Sequence, residues 1–182
     1  MTPFHLTESA LGAQDCADLV GLCAAAPMKD AGLVGGTTAH QIRRADLVWL
    51  DDLPQAAWVM QRMTRLIATA NHDFGFDLDA FCESPQVARY GAERAGHFDW
   101  HSDIGAGAMA ARRKLTVVVQ LSEPHSHEGG VLDLWPDSQQ RSMAKAQGLA
   151  VVFPSFVLHR VTPVTAGTRW SLTLWAHGPA FR

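Results

Sequence analysis

From Phe81 onward the chain breaks into short runs of β-branched and aromatic residues punctuated by Gly, Pro, Ser and Asp, and that rhythm leaves few folds open. Residues 86–90, 97–102, 115–121, 131–135, 149–153, 158–161 and 169–176 read as strands. Ahead of them lie two stretches of helical period. In 13–25 the apolar positions Cys16, Leu19, Val20 and Cys23 share one face, with Pro27 as a stop. In 54–71 the shared face carries Ala56, Val59, Met60, Met63, Ile67 and Ala70, and Gly75 follows the end. Two helices followed by many short strands point to an α+β fold, with the helices bracing an antiparallel sandwich or barrel. On this reading residues 1–80 are a mainly helical support and 81–182 the catalytic β-core of one domain. The glycine-rich run 31–38 between the helices suits a loop that shapes substrate access.

Bulk properties narrow the function classes. A chain of 182 residues with 47% hydrophobic and 18% charged residues can bury a substantial core. Its net charge of -3, without any run of five basic residues, argues against a nucleic-acid partner. No stretch nears 18 apolar residues and the first residues lack a signal-peptide pattern, so no membrane partner is expected and a cytoplasmic location is. Cys16, Cys23 and Cys82 have neither zinc-ribbon spacing nor the even count of a disulfide framework, and the first two read as core.

The chemistry concentrates in Gly96-His97-Phe98-Asp99-Trp100-His101-Ser102-Asp103. Side chains alternate along a strand, so His101 and Asp103 point to one side and can grip one metal. His97 and Asp99 form a second His-x-Asp pair of the same parity, and spacing alone does not separate the two. His159, opening another strand, is the best third ligand. Two imidazoles and one carboxylate make the facial set of mononuclear iron(II) oxygenases, which leaves three adjacent positions open. Two of these take a 2-oxo acid as a chelate and the third takes dioxygen.

A chelating 2-oxo diacid needs its far carboxylate held, and the planar fork of an arginine does this with two parallel hydrogen bonds. Arg169 stands ten residues after His159, and alternation puts Ser171 on its side of the strand. His125 and His127, in Pro124-His125-Ser126-His127-Glu128-Gly129-Gly130, read as a solvated hairpin loop rather than a second metal site. Gly129-Gly130 reads as a bend or a close approach of backbone. His5, His40, His72 and His177 have no motif context.

The order of His101-x-Asp103, then 113–122 (RKLTVVVQLS), Glu128-Gly129-Gly130-Val131-Leu132, 153–159 (FPSFVLH) and 161–171 resembles the bacterial 2-oxoglutarate/iron(II) oxygenases related to prolyl 4-hydroxylases and PKHD-type hydroxylases. The likeness runs from about Val87 to Arg182. It implies a double-stranded β-helix of jelly-roll or cupin type flanked by helices, with iron(II), 2-oxoglutarate and dioxygen as cofactor and co-substrates. It implies His101, Asp103 and His159 as the ligands, leaving His97 and Asp99 as strand residues near them. It also aligns Tyr90 with a tyrosine lining the co-substrate pocket. Gln120 stands where some relatives carry a tyrosine that bonds the 2-oxoglutarate carboxylate, and Thr116 and Val118 share its strand face.

The implied reaction is hydroxylation of an unactivated C–H bond, and Asp103 favours it over halogenation, because related halogenases lack that carboxylate. Prolyl-hydroxylase relatives point to a peptide or protein side chain, proline first. A free amino acid or another small metabolite is the alternative, and a non-catalytic β-barrel binding module is the reading from another class. Residues 32–44 and 104–113, including Arg43-Arg44 and Arg112-Arg113, are where substrate choice is expected to lie.

Overall fold

A computed structural model describes residues 3–31 and 39–181. The strands are β1 His5–Thr7, β2 Lys29–Asp30, β3 Arg43–Arg44, β4 Asp46–Trp49, β5 Gln86–Gly91, β6 His97–His101 and β7 Arg113–Gln120. They continue with β8 His127–Gly129, β9 Leu132–Trp135, β10 Arg141–Ser142, β11 Ala150–Pro154, β12 Leu158–Val161 and β13 Val164–His177. The helices are α1 Ala13–Ala25 and α2 Trp58–Phe74, the latter entered through a short 3-10 turn at Pro54–Ala56. Most of the glycine-rich run expected to shape access, residues 32–38, lies outside the described residues.

Two antiparallel sheets face one another. The larger runs β1-β11-β7-β13-β5-β4-β2, with β8 paired to β13, and the smaller runs β10-β9-β12-β6-β3. This is the jelly-roll form of a double-stranded β-helix, as expected. The N-terminal support is less helical than expected: β1, β2 and β4 extend the larger sheet and β3 edges the smaller one. These strands are two to four residues long and carry Lys, Asp and Arg, so no alternating run marks them in the sequence.

Every residue of β7 is buried, because both faces of the larger sheet are covered. Leu115, Val117, Val119 and Leu121 point to one side with Leu172, Leu174 and Ala176 of β13 and Ala150 and Val152 of β11. There they meet Cys16, Leu19 and Cys23 of α1 and Val59, Met63, Ile67 and Ala70 of α2, all fully buried. Each such aliphatic side chain contributes about 2 kcal/mol. The α2 helix stops where Gly75 turns left-handed at φ 69° and returns its N–H to the Asn71 carbonyl. The helices thus hold the sheet from behind, and Thr116, Val118 and Gln120 of β7 face inward, toward the smaller sheet. Cys16, Cys23 and Cys82 are free thiols, and burial pushes the first two up to about 11.

Candidate metal centre

His101 and His159 sit on neighbouring strands of the smaller sheet and are directly paired, His159 opposite His101. One pair further along, Val161 of β12 lies opposite Phe98 of β6. The β12 strand advances two residues where β6 advances three, so β6 carries a bulge. That extra residue breaks the alternation assumed from the sequence. Phe98, not Asp99, shares the inner face with His101, and the two rings stack with centroids 3.4 Å apart at 11°. His97 faces the backbone carbonyls of Ala95 and Gln41 instead, and the exposed Asp99 carboxylate accepts the Trp100 N–H. The competing His-x-Asp pair is therefore turned away from the site.

One potential ligand atom from each of His101, Asp103 and His159 lies within 4.8 Å of the others. Both imidazoles are aimed by backbone. Nδ1 of His101 donates to the Asp99 carbonyl at 2.7 Å and Nδ1 of His159 to that of Val157 at 2.9 Å, which leaves each Nε2 as a bare lone pair. Oδ2 of Asp103 accepts from Oγ1 of Thr116 at 2.7 Å and from the Trp175 indole at 2.9 Å. Both partners come from the larger sheet, so Asp103 ties the two sheets together, with Oδ1 3.6 Å from Nε2 of His101 and Oδ2 3.6 Å from Nε2 of His159. Burial pushes His101 well below its ordinary pKa, aided by His159. Burial opposes ionisation of Asp103, but His159, His101, Trp175 and Thr116 outweigh it and hold the carboxyl low. Converging lone pairs with a buried carboxylate form a donor set suited to a divalent cation, and no thiolate competes.

A second layer braces this one. Arg113 donates to the Asp103 carbonyl at 3.0 Å, stacks 3.9 Å over the Trp175 ring and is forked by Glu83. Glu83 also bonds His177, which is fully buried. Burial alone would raise the Glu83 carboxyl, but Arg113 and His177 overcome it and hold it down at about 2. Arg112 pairs with Asp79 near the surface. The Arg112-Arg113 pair is thus bound by acids, and neither sequence context nor spacing reveals Asp79 or Glu83 as its partners.

Beside the triad lies a cavity of about 220 Å³, walled by Tyr90, Phe98, Val118, Ser171, Thr173 and Trp175 among others. Arg43 reaches it as well, its guanidinium 4.5 Å over Phe98. Behind Ser171, and not itself on the wall of this cavity, Arg169 is 1% exposed, with Nε donating to Oε1 of Gln120 at 3.1 Å and Nη1 to Oγ of Ser171 at 3.0 Å. The Tyr90 ring lies 5.4 Å from its guanidinium. Among the described residues no carboxylate pairs with Arg169. A buried cation without a counter-charge is costly, which makes this a ready seat for an anion. Because Ser171 accepts from the arginine, its own proton is left to donate.

The structure places Tyr90, Gln120 and Ser171 around Arg169, and corrects one other reading. His125 is exposed, but His127 is 3% exposed and touches Gln120, because β8 folds against β13 with His127 opposite Gly167. Gly129 and Gly130, at φ 69° and 62°, make that turn. A Cβ on Gly130 would stand 2.8 Å from Cδ of Arg169. No local signal in the sequence marks Trp175 and Thr116 as holders of Asp103, although alternation from Arg169 and Ser171 already puts Trp175 on the inner face.

Residues 85–177 match the family model of the 2OG-Fe(II) oxygenase superfamily. Among curated proteins, a PKHD-type hydroxylase of Delftia acidovorans is 37% identical over 98 residues, covering 51% of this chain and 42% of that protein. The chain spans about half the length of the curated relatives it matches. Among solved structures, a Pseudomonas putida prolyl-4-hydroxylase is 25% identical with a TM-score of 0.78, covering 97% of this chain and 93% of the other. A prolyl hydroxylase from Trichoplax adhaerens, in complex with a hypoxia inducible factor peptide fragment, shares the fold at TM-score 0.79 and 16% identity, covering 97% and 84%.

Proposed function

The chain belongs to the 2OG-Fe(II) oxygenase superfamily, and from that premise we propose that it is a hydroxylase holding iron(II) through His101, Asp103 and His159 and 2-oxoglutarate through Arg169 and Ser171. The observation that carries the reading is the pairing of the three-ligand cluster with a buried arginine lacking any described acid partner, at opposite ends of the inner face. When bound, iron and 2-oxoglutarate supply the oxidising chemistry that turns an unactivated C–H into C–OH, with dioxygen consumed and succinate and carbon dioxide released.

The protein's own share is positional. His101 and His159 present Nε2 because backbone carbonyls occupy Nδ1. Asp103 offers one oxygen because Thr116 and Trp175 saturate the other. Arg169 and the Ser171 hydroxyl take the distal carboxylate, and Tyr90, with Gln120, closes the space around it. Burial of this end excludes water from the clamp and strengthens its hydrogen bonds.

The substrate we propose is a peptide or protein side chain, proline first, supported by likeness over nearly the whole chain to the Pseudomonas putida prolyl-4-hydroxylase. A free amino acid or another small metabolite is the second reading, which the cavity of about 220 Å³ beside the triad accommodates. The experiment that decides is succinate release screened over prolyl peptides, free amino acids and small metabolites, after subtracting turnover without substrate. Stimulation by free amino acids or small metabolites alone overturns the peptide reading. No succinate with any substrate, together with no visible band on anaerobic addition of iron(II) and 2-oxoglutarate, overturns the enzyme reading.

A further inference from the structure

His127 is buried, does not belong to the metal cluster, and meets Arg169 through one intermediary. Its Nδ1 lies 3.1 Å from the Gly129 carbonyl, its Nε2 3.1 Å from Nε2 of Gln120, and Oε1 of Gln120 accepts from Nε of Arg169 at 3.1 Å. The direction of every bond in this chain follows from its far end. A carbonyl only accepts, so the proton sits on Nδ1. The neutral ring then shows a bare lone pair at Nε2, and the Gln120 group facing it must be the amino group. The Ser122 carbonyl, 3.3 Å from the same nitrogen, requires the same orientation. Turned over, the amide would set its oxygen against two acceptors and its N–H groups against the Arg169 N–H.

We propose that His127 is a positioning residue for the co-substrate: through Gln120 it fixes the guanidinium of Arg169 in the attitude that receives the distal carboxylate of a five-carbon 2-oxo diacid. With Nε tied to Gln120 and Nη1 to Ser171, the remaining guanidinium hydrogens and the Ser171 proton are left for that carboxylate. An amide has two inequivalent ends, so it needs a neighbour to choose between them, and His127 is that neighbour. Burial, then the charges of Lys145 and Arg169, push the imidazole pKa down and keep it neutral. The ammonium of Lys145 holds the His127 carbonyl at 2.9 Å, fixing the backbone from which the ring projects.

The inference rests on the co-substrate reading above, and the test separates the two. Anaerobic, iron(II)-loaded protein is titrated calorimetrically with 2-oxoglutarate and with pyruvate, which keeps the 2-oxo acid and lacks the distal carboxylate. His127→Phe keeps a flat ring but offers no acceptor, and Gln120→Leu removes the intermediary. Each is expected to weaken 2-oxoglutarate about tenfold, the worth of one hydrogen bond to a charged group. Pyruvate affinity stays unchanged, and the double variant is no weaker than either single one. Nitrogen NMR of the iron-free wild type is expected to show the Nδ1–H form of His127. Unchanged 2-oxoglutarate affinity, equal losses for both ligands, additive losses, or an Nε2–H tautomer overturns the proposal. Should His127→Phe not fold, Gln120→Leu and the tautomer decide. Iron-loaded wild type that fails to bind 2-oxoglutarate overturns the co-substrate reading itself, before any variant is compared.

Discussion

The Trp175 indole donates to Oδ2 of Asp103 at 2.9 Å, joining the last strand of one sheet to the loop after a strand of the other. That oxygen is shared with Thr116, so the carboxylate is held from two directions before any metal arrives. Trp175→Phe keeps an aromatic ring beneath Arg113 and removes the donor. We expect iron(II) affinity to fall about 10- to 100-fold, the usual effect of losing a partner that orients a ligand. Iron titration of folded variant and wild type measures it, and equal affinities would place the control of Asp103 elsewhere.

The bulge in β6 separates two His-x-Asp pairs that look alike in the sequence. His97→Ala should leave iron binding within about twofold, because a residue outside the site changes little there. His101→Ala or Asp103→Ala should abolish iron-dependent succinate formation. Iron titration and the succinate assay, both run on all three variants, test the register, and normal turnover in either of the last two would remove that residue from the triad.

Arg169→Met replaces a buried cation by a side chain of similar length. Losing a bidentate, charge-assisted pair should raise the apparent 2-oxoglutarate requirement about 100-fold, while turnover at saturation falls less. Steady-state kinetics against 2-oxoglutarate read the split. An unchanged requirement would show that another residue holds the distal carboxylate.

Gly130 touches the same arginine from the other side. Its φ of 62° disfavours any Cβ, and an added one would stand 2.8 Å from Cδ of Arg169. Gly130→Ala should cost about 1–3 kcal/mol of stability and weaken 2-oxoglutarate binding in parallel. Denaturant melts and ligand titration test the two effects, and loss of stability alone would show that Arg169 adapts.

Glu83 supplies a pH dependence of known sign. Its carboxyl is held at about 2 in the fold against an ordinary 4.5, so its contribution is complete above about pH 4.5 and is lost as pH falls toward 2. A shift of that size is worth about 3 kcal/mol. Glu83→Gln should lower neutral-pH stability by roughly this amount, since it strands Arg113, and flatten the loss between pH 4.5 and 2. Urea melts across that range check it. An acid slope as steep in the variant as in wild type would assign the acid sensitivity to other groups.

Much of this was legible in one dimension. Helix α1 follows its apolar spacing residue for residue, and the core strands fall where β-branched runs meet Gly and Pro, because burial against a sheet imposes periods of 3.6 and 2 on any sequence. The strands before Phe81 were not legible. They are too short to show a period, and they exist because neighbouring edges offer unpaired backbone groups.

The residues of the site divide along the same line. His101, Asp103, His159, Arg169 and Ser171 could be singled out as candidates, since only certain side chains bind a divalent cation or a carboxylate, although residue chemistry left His97 and Asp99 open and only the resemblance in motif order chose between the pairs. Which face each takes, and what aims it, was decided by the folded sheets. A bulge turned His97 and Asp99 outward, the opposing sheet brought Thr116 and Trp175 to Asp103, and the pairing of β8 with β13 buried His127 beside Gln120. Pairing register between distant strands depends on the packing of both sheets at once, and no local stretch of sequence encodes it.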